Sequence, residues 1–169
     1  MAFYNLFFGF DGRFGRSTFW LLGIPVGIVL WVAVDVGPTA WVRWHTASDL
    51  GILRFASIGA AWLLAVSIGT VAIVSSCAIA ARRLHDRGKS SMWLVLFYGV
   101  PALVWIFPCH LLPDGLALMV GIADVVIVAW QFVELGFMRG SVGTNDYGPD
   151  PLLCDLHARV AANTGWALR

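Results

Sequence analysis

Three short polar clusters interrupt an otherwise apolar sequence, and they carry most of the side chains that could do chemistry. The first motif covers residues 12–20 (GRFGRSTFW), the second residues 81–90 (ARRLHDRGKS) and the third residues 143–151 (GTNDYGPDP). Arginine forks match phosphate and carboxylate groups, and histidine is the side chain that titrates nearest to neutral pH. The motifs therefore offer chemistry for binding an anion or for moving a proton.

The anion-binding interpretation rests on the number of basic groups. Clusters of four to eight basic residues at the depth of lipid headgroups are typical of sites for anionic phospholipid. The candidate lipid- or anion-binding residues are Arg13, Arg16, Arg82, Arg83, His85, Asp86, Arg87, Asn145 and Asp146. We therefore expect the partners of this protein to be membrane lipids, and anionic phospholipid in particular.

The same residues also fit a structural role. Arg82 and Asp86 are spaced as an i, i+4 ion pair on a helix, and Gly88 suits the left-handed residue that ends one. In this interpretation the arginines also hold Asp146 and Asp150 of the third motif, since ion pairs at surfaces are usually scaffolding. A charged helix end that fixes the third motif is the simpler of the two interpretations.

A catalytic interpretation has less support. His85 and Asp86 are adjacent, so on a helix they point about 100° apart and do not form a ready-made dyad. The sequence has no nucleophile elbow, metal-ligand triad, phosphate-binding loop or dinucleotide fingerprint. We therefore assign no catalytic residue, no metal site and no cofactor, and an interfacial enzyme acting on a lipid phosphate is the third function considered.

The composition determines the kind of element that must position these motifs. Of the 169 residues, 59% are hydrophobic and 12% are charged, and the mean hydropathy is +0.79. Soluble domains have roughly 45–50% apolar and about 25% charged residues, which excludes a water-facing globule. The net charge of +1 gives no reason to expect a nucleic-acid partner. The chain is therefore predicted to lie in a membrane.

Four apolar stretches are long enough to cross a bilayer, which takes about 20 residues of helix. They cover residues 17–36, 55–81, 90–113 and 115–138. The fold class is accordingly an all-α integral membrane protein, a bundle of four transmembrane helices. Residues 1–151 form a single membrane domain, and residues 152–169 form a short C-terminal extension in which Leu152, Leu156 and Val160 predict a helix.

The distribution of basic residues orients the bundle. If four spans cross, nine of the 11 lysines and arginines lie on one side, and only Arg43 and Arg54 lie on the other. Cytoplasmic loops carry the excess of basic residues in bacterial membrane proteins. Both termini and residues 82–89 are thus predicted to be cytoplasmic, in a multi-pass protein of the bacterial cytoplasmic (inner) membrane.

Two acidic residues, Asp124 and Glu134, interrupt the fourth span. Acids within a membrane are candidates for ion or proton pathways because they are costly to bury. We expect Asp124 to hydrogen-bond to Ser67 or Thr70 of the second span, and Glu134 to pair with an arginine, of which Arg16, Arg82 and Arg139 are the candidates. A small transporter or channel that uses Asp124 is the alternative function, and it would require a homo-oligomer.

Small residues predict where helices approach each other. Gly23 and Gly27 form a GxxxG pattern in the first span, and Ala61, Ala65 and Gly69 recur every fourth residue in the second. Such stripes allow close contact between helix backbones in lipid. Two arrangements fit these faces: packing of the first span on the second, or dimerisation of the chain. The aromatic segment before Asp11 is expected either to lie at the membrane interface or to pack on the bundle.

The three motifs together resemble the DUF805 family of small bacterial inner-membrane proteins, whose pattern reads approximately GRxxRxxFW, RRLHDxGxSGWW and GxNxYGPDP. The resemblance covers residues from about 10 to 151, with Ser91 and Met92 where the family often has Gly-Trp. It implies a helical inner-membrane protein and carries over no catalytic residue. The function expected is a non-enzymatic scaffold or anionic-lipid-interacting protein.

Overall fold

The computed structural model describes residues 3–37, 39–40, 43, 51–107 and 112–164, and regular structure in these residues is helical apart from one isolated β-bridge. The helices are α1 (Phe3–Phe8), α2 (Arg16–Trp31), α3 (Gly51–Asp86), α4 (Val100–Ile106), α5 (Asp114–Gly136) and α6 (Pro151–Thr164). A π-helical turn, Val32–Val36, extends α2, and another, Val95–Gly99, precedes α4.

Three of these helices have the length and apolar character of membrane spans. Within the described residues the spans are Arg16–Val34, Ala56–Asp86 and Asp114–Gly136, and Val95–Ile106 is a shorter apolar helix. The first, second and fourth predicted spans thus coincide with α2, α3 and α5. The third stretch, 90–113, is less regular than predicted, because it starts with turns and its helix ends at Ile106; residues 108–111 lie outside the described part of the chain.

The order of the helices brings the three motifs to one end of the bundle. Helix α2 packs along α3, while α5 packs against α4 and the turn before it. The end of α5 lies beside the start of α2, where the indole of Trp20 donates to the carbonyl of Gly136 at 3.1 Å. Asp114, where α5 begins, lies at the opposite end of the bundle. We refer to the end that contains Gly136 and the start of α2 as the motif end.

The helix α3 ends as its sequence predicts. Gly88 has a φ of +68°, the left-handed conformation that glycine adopts without strain. The amide of Lys89 donates to the carbonyl of Leu84 at 2.9 Å, and the amide of Gly88 donates to the carbonyl of His85 at 3.0 Å. This is the Schellman arrangement, which satisfies the last carbonyls of a helix.

Most of the buried residues lie at the motif end. Residues 78–86 of α3 are all buried, as are Glu134, Leu135 and Gly136 at the end of α5. Large apolar side chains such as Leu21, Leu63 and Val125 are exposed around the bundle. An exposed apolar surface of this extent is what a helix bundle presents to lipid.

The predicted contact between the glycines of the first span and the second span is wrong. A Cβ atom built on Gly23 or Gly27 meets nothing within 4 Å, so this face of α2 is open. Gly69 of α3 does lie against the first span, since its Cβ would be 3.5 Å from Val34. Of the predicted small residues, Gly69 thus lies close to the first span, whereas Gly23 and Gly27 do not contact the second.

The two terminal segments are helical. In α1, Leu6 and Phe7 pack against a core cluster that includes Phe14 and Val26, whereas Tyr4 is exposed. The aromatic segment was expected either to lie at the membrane interface or to pack on the bundle, and Leu6 and Phe7 pack on the bundle. The extension predicted over residues 152–169 contains α6, and residues 165–169 lie outside the described chain.

Candidate functional site

Arg13 joins all three motifs. Its side chain is 1% exposed, and its Nε and Nη2 atoms donate to Oδ1 of Asp86 at 3.1 and 3.0 Å. The same guanidinium donates to the carbonyls of Ser141 and Gly143, both at 2.6 Å, and to that of Gly148 at 3.3 Å. A guanidinium has five N–H donors in a fixed fork, so one side chain from the first motif holds the second and the third.

Arg83 is fully buried and caps the end of α5. Its Nε donates to the carbonyl of Leu135 at 2.8 Å, and its Nη2 donates to that of Met138. Its Nη1 donates to Oδ2 of Asp86 and, at 3.4 Å, to the carbonyl of Phe14. The last carbonyls of a helix lack partners within the helix and carry partial negative charge, which a cation stabilises. Arg83 therefore fixes α5 to α3.

The predicted pairing of Arg82 with Asp86 is wrong. Arg82 turns away from Asp86 and donates to the carbonyls of Asn5 and Gly9, at the end of α1. Its guanidinium carbon also lies 4.3 Å from the centre of the Phe14 ring, a cation–π contact. Asp86 pairs instead with Arg13 and with Arg83, which is three residues before it.

Asn145 attaches the third motif to the end of α3. Its side-chain amide donates to the carbonyl of His85 at 2.8 Å and to the hydroxyl of Ser141 at 2.9 Å. Its carbonyl oxygen accepts the amide of Tyr147 at 2.9 Å, which forms a tight turn. Asp146 in this turn is exposed, and no ion pair in the described chain includes it. The predicted pairing of Asp146 with an arginine is therefore wrong.

Asp150 begins α6. Its carboxylate accepts the amide of Leu152 at 3.0 Å and the amide of Gly143 at 3.1 Å. The first bond is that of a helix N-cap, and Pro151 occupies the next position, where proline is favoured. These two backbone donors lower the pKa of the Asp150 carboxyl, because they stabilise its charged form.

His85 is held in a fixed position by three groups. Its Nδ1 atom lies 3.2 Å from the carbonyl of Gly12, and its Nε2 atom lies 2.9 Å from the hydroxyl of Ser91. Tyr147 stacks on the imidazole with ring centres 4.0 Å apart and an angle of 3°. A carbonyl can only accept, so Nδ1 donates to Gly12 and the neutral ring accepts from Ser91 at Nε2. His85 contacts neither oxygen of Asp86, in agreement with the absence of a dyad.

Glu134 pairs with different residues from those predicted. Its Oε1 atom lies 3.0 Å from Nε of Arg87 and 2.9 Å from Nζ of Lys89. The carboxylate is nearly buried, whereas the two basic groups are partly exposed. Lys89 also lies 4.6 Å from the centre of the Trp93 ring. The acid thus belongs to the network at the motif end and not to a pathway through the bundle.

Asp124 lies apart from this network. Its Oδ1 atom is buried and has no hydrogen-bond partner in the described chain. The hydroxyls of Ser67 and Thr70 donate to the carbonyls of Leu63 and Val66 in their own helix, at 2.8 and 2.7 Å. The predicted bond from Asp124 to either hydroxyl is therefore not formed.

The network permits little change in its backbone. A Cβ atom at Gly140 would lie 2.0 Å from Oδ2 of Asp86, and one at Gly136 would lie 2.4 Å from the Trp20 ring. Gly140 and Ser141 were not singled out from the sequence, and Tyr147 of the third motif was given no role of its own. Gly140 and Ser141 lie just before the third motif, and only their contacts across the chain show their role.

The motif end is a closed assembly of buried charges. Arg13, Arg82 and Arg83 direct their donors to protein oxygens, so a phosphate group would have to compete with carbonyls and with Asp86. Among the described residues no group of histidine, cysteine or acidic side chains could hold a metal ion. Arg16 is exposed, and its Nη1 lies 3.5 Å from the carbonyl of Phe137; Arg139 is exposed as well.

The family model named "Protein of unknown function (DUF805)" matches residues 7–149, so this chain belongs to the DUF805 family. Its relatives include "Uncharacterized protein YiiR" of Escherichia coli K12, which is 27% identical over 155 residues, covering 85% of this chain and 86% of the relative. "Inner membrane protein YhaH" of the same strain is 26% identical over 145 residues, covering 86% of this chain and 88% of that protein. No solved structure matches the chain.

Proposed function

We propose that this protein is a non-enzymatic scaffold of the bacterial cytoplasmic membrane that binds anionic phospholipid. In this proposal the chain crosses the membrane four times with the motif end in the cytoplasm, and the stretch 90–113, which contains the shorter apolar helix Val95–Ile106, forms the third crossing. The observation that carries the proposal is the division of basic residues at the motif end. Arg13 and Arg83 are buried and hold the fold, whereas a second set remains accessible.

That accessible set forms a basic rim, which consists of Arg16, Arg87, Lys89 and Arg139. Arg16 and Arg139 are exposed, while Arg87 and Lys89 share Glu134 and are partly exposed. Trp20 and Trp93, which lie near the rim in sequence, are of the type enriched where a membrane meets water. Each basic residue near an anionic surface contributes about 1 kcal/mol of attraction, so the rim is sufficient for a preference among headgroups.

Native mass spectrometry of the full-length protein tests the proposal. The protein is released from micelles that contain equal amounts of phosphatidylglycerol and phosphatidylcholine, and the bound lipids are counted. The double variant Arg16→Gln, Arg139→Gln should lower the ratio of bound phosphatidylglycerol to phosphatidylcholine about 30-fold, since it removes two accessible charges that each contribute about 1 kcal/mol. The matched control is Arg43→Gln, Arg159→Gln, which changes the net charge equally outside the rim. Equal ratios in the three proteins would refute lipid selection by the rim.

One observation favours a second candidate, a small proton or ion pathway. The buried Oδ1 atom of Asp124 has no partner in the described chain, and a carboxyl group in that state within a membrane is costly. Purified protein in liposomes would conduct protons in this case, and Asp124→Asn would abolish the flux. A flux that persists in Asp124→Asn, or no flux in the native protein, would leave the scaffold proposal as the better one.

A further inference from the structure

We propose that the open glycine face of α2 binds one acyl chain of an anionic phospholipid, whose headgroup lies at Arg16. This inference rests on the proposed function and assigns it a site. The site is a groove, here called the α2 groove, with a volume of about 480 Å³. Volumes of roughly 300–1,000 Å³ are typical of ligand pockets. Its lining residues include Trp20, Gly23, Gly27, Trp31, Ser76 and Tyr98.

One face of α2 carries Arg16 and continues into the α2 groove, where Trp20, Gly23, Gly27 and Trp31 are lining residues and Arg16 lies beyond the lining. Arg16, Trp20, Gly23, Gly27 and Trp31 are separated by four, three, four and four residues, which places them on one face of α2. A Cβ atom at Gly23 or Gly27 would meet nothing within 4 Å, so the absent side chains leave a trough. Ile79 of α3 and Tyr98 add further apolar surface to the lining.

The charged end of this face defines the class of ligand. Arg16 is exposed, and its Nη1 atom lies 3.5 Å from the carbonyl of Phe137, the limit of a hydrogen bond. From Arg16 to Gly27 the helix rises about 16 Å, close to the thickness of one leaflet of a hydrocarbon core about 30 Å thick. A cation followed by an apolar trough of that length is complementary to a phospholipid with a negative headgroup.

Two similar grooves lack this combination. One, of about 490 Å³, is lined by Phe7, Pro25 and Val26, and the helix of Phe7 is held by Arg82, whose donors are used on carbonyls. Another, also of about 490 Å³, is lined by Val34, Trp62 and Trp105, away from the basic rim. The α2 groove is the one that continues the face of an exposed arginine.

A second copy of the chain is the competing occupant, because GxxxG faces pair in membranes. Two copies have the same orientation in one membrane, so a symmetric contact through Gly23 and Gly27 would place their Arg16 side chains near each other. Like charges at that position oppose such a contact. The arginine therefore favours a lipid over a dimer in the α2 groove.

Photo-crosslinking in vesicles tests the site. The probe is phosphatidylglycerol with a diazirine in the middle of one acyl chain, and the adducts on the full-length protein are mapped by mass spectrometry. We expect adducts to concentrate on residues 23–31 and near Tyr98. Gly27→Leu, at a position where a Cβ atom meets nothing within 4 Å, places a side chain in the trough and should remove them, whereas Gly59→Leu, at a glycine equally open to a Cβ atom and outside the groove, should leave them. Thermal unfolding checks that both variants are folded.

The Arg16→Gln variant tests the charged end. It should lower the yield of these adducts about fivefold with the phosphatidylglycerol probe, the equivalent of one headgroup contact, and change it little with a phosphatidylcholine probe. Adducts spread evenly over α2, α3 and α5, or unchanged by Gly27→Leu, would overturn the site while a rim-dependent headgroup ratio kept the proposed function. A dimer that Gly27→Leu dissolves, without α2 adducts, would assign the groove to a second copy and also overturn it.

Discussion

At the scale of single residues, Arg13 has the largest part in joining the motifs. It contacts Asp86, Ser141, Gly143 and Gly148 from a side chain that is almost completely buried. Removing one partner of a buried ion pair leaves the other charge uncompensated, which is costly. The role of Arg13 is therefore to hold together segments that are 73 and about 130 residues away in the chain.

Replacing Arg13 tests this role. Arg13→Ala should destabilise the protein by about 3–5 kcal/mol, and Arg13→Lys should recover only part of that, because an ammonium group lacks the planar fork. The measurement is thermal unfolding of the full-length protein in detergent, followed by tryptophan fluorescence. Arg16→Lys, at an exposed position of the same motif, is the control and should change stability by less than about 0.5 kcal/mol. Equal stability of Arg13→Ala and Arg16→Lys would contradict the role assigned to Arg13.

Gly140 is the second residue with a specific requirement. The Cβ atom of Gly140→Ala would lie 2.0 Å from Oδ2 of Asp86, so either the carboxylate or the backbone must move. We expect a loss of about 1–3 kcal/mol, the usual cost of overpacking. Gly121→Ala, where a Cβ atom meets nothing within 4 Å, should be neutral or stabilising in the same unfolding measurement. A neutral Gly140→Ala would show that Asp86 does not need this close approach.

The partners of individual side chains were the feature that the sequence predicted least well. The spacing of Arg82 and Asp86 predicted a pair, yet the side chains diverge and Asp86 binds Arg13 from another motif. Helical spacing identifies which residues share a face and not which distant segment lies against that face. The same reason explains why the partners of Glu134 and the stacking of Tyr147 on His85 were not predicted.

At the scale of elements, length and composition predicted the helices well. Helices α2, α3 and α5 coincide with apolar stretches of the sequence, and Gly88 ends α3 as predicted. The third stretch was predicted too long. Hydropathy does not reveal the turns at residues 90–92 or the π-helical turn Val95–Gly99, because these differ from an α-helix only in which backbone amide donates a hydrogen bond to which carbonyl.

Helix α6 gives a prediction on pH. The pKa of Asp150 is lowered in the folded protein by the amides of Gly143 and Leu152, so its stabilising effect is complete above the pKa of an unfolded aspartate. That effect is lost as the pH falls through the folded pKa. Hydrogen-exchange protection factors at the start of α6 should therefore decrease in acid. Asp150→Asn keeps an N-cap without the charge, and its protection should depend less on acid. An equal acid dependence in both proteins would assign the effect to another group.

At the scale of the whole molecule, the structure divides into a tightly bonded end and an open apolar bundle. Buried residues concentrate near the ends of α3 and α5, while much of α2 and the far half of α3 is exposed. The sequence predicted that the three motifs would meet at one surface. It did not predict that Arg13, Arg82 and Arg83 would be buried there, because a basic cluster has the same composition whether it binds lipid or caps helices.

The proposed topology is the final prediction, and it concerns the complete chain. If the stretch 90–113 forms the third crossing, the motif end faces the cytoplasm and the start of α5 faces outward. Single cysteines at Ser90 and Thr144, on the motif side, should then resist an impermeant maleimide in intact spheroplasts. Single cysteines at Ala40 and Gly115 should react, since all four positions are exposed in the structure.

Each variant is made after Cys77, Cys109 and Cys154 are replaced, and each is labelled fully after lysis to show that it is accessible. The expected result follows from the excess of basic residues on the motif side. Labelling at Ser90 without labelling at Ala40 in intact spheroplasts would show the opposite orientation. The rim would then not lie at the anionic inner surface where we place it.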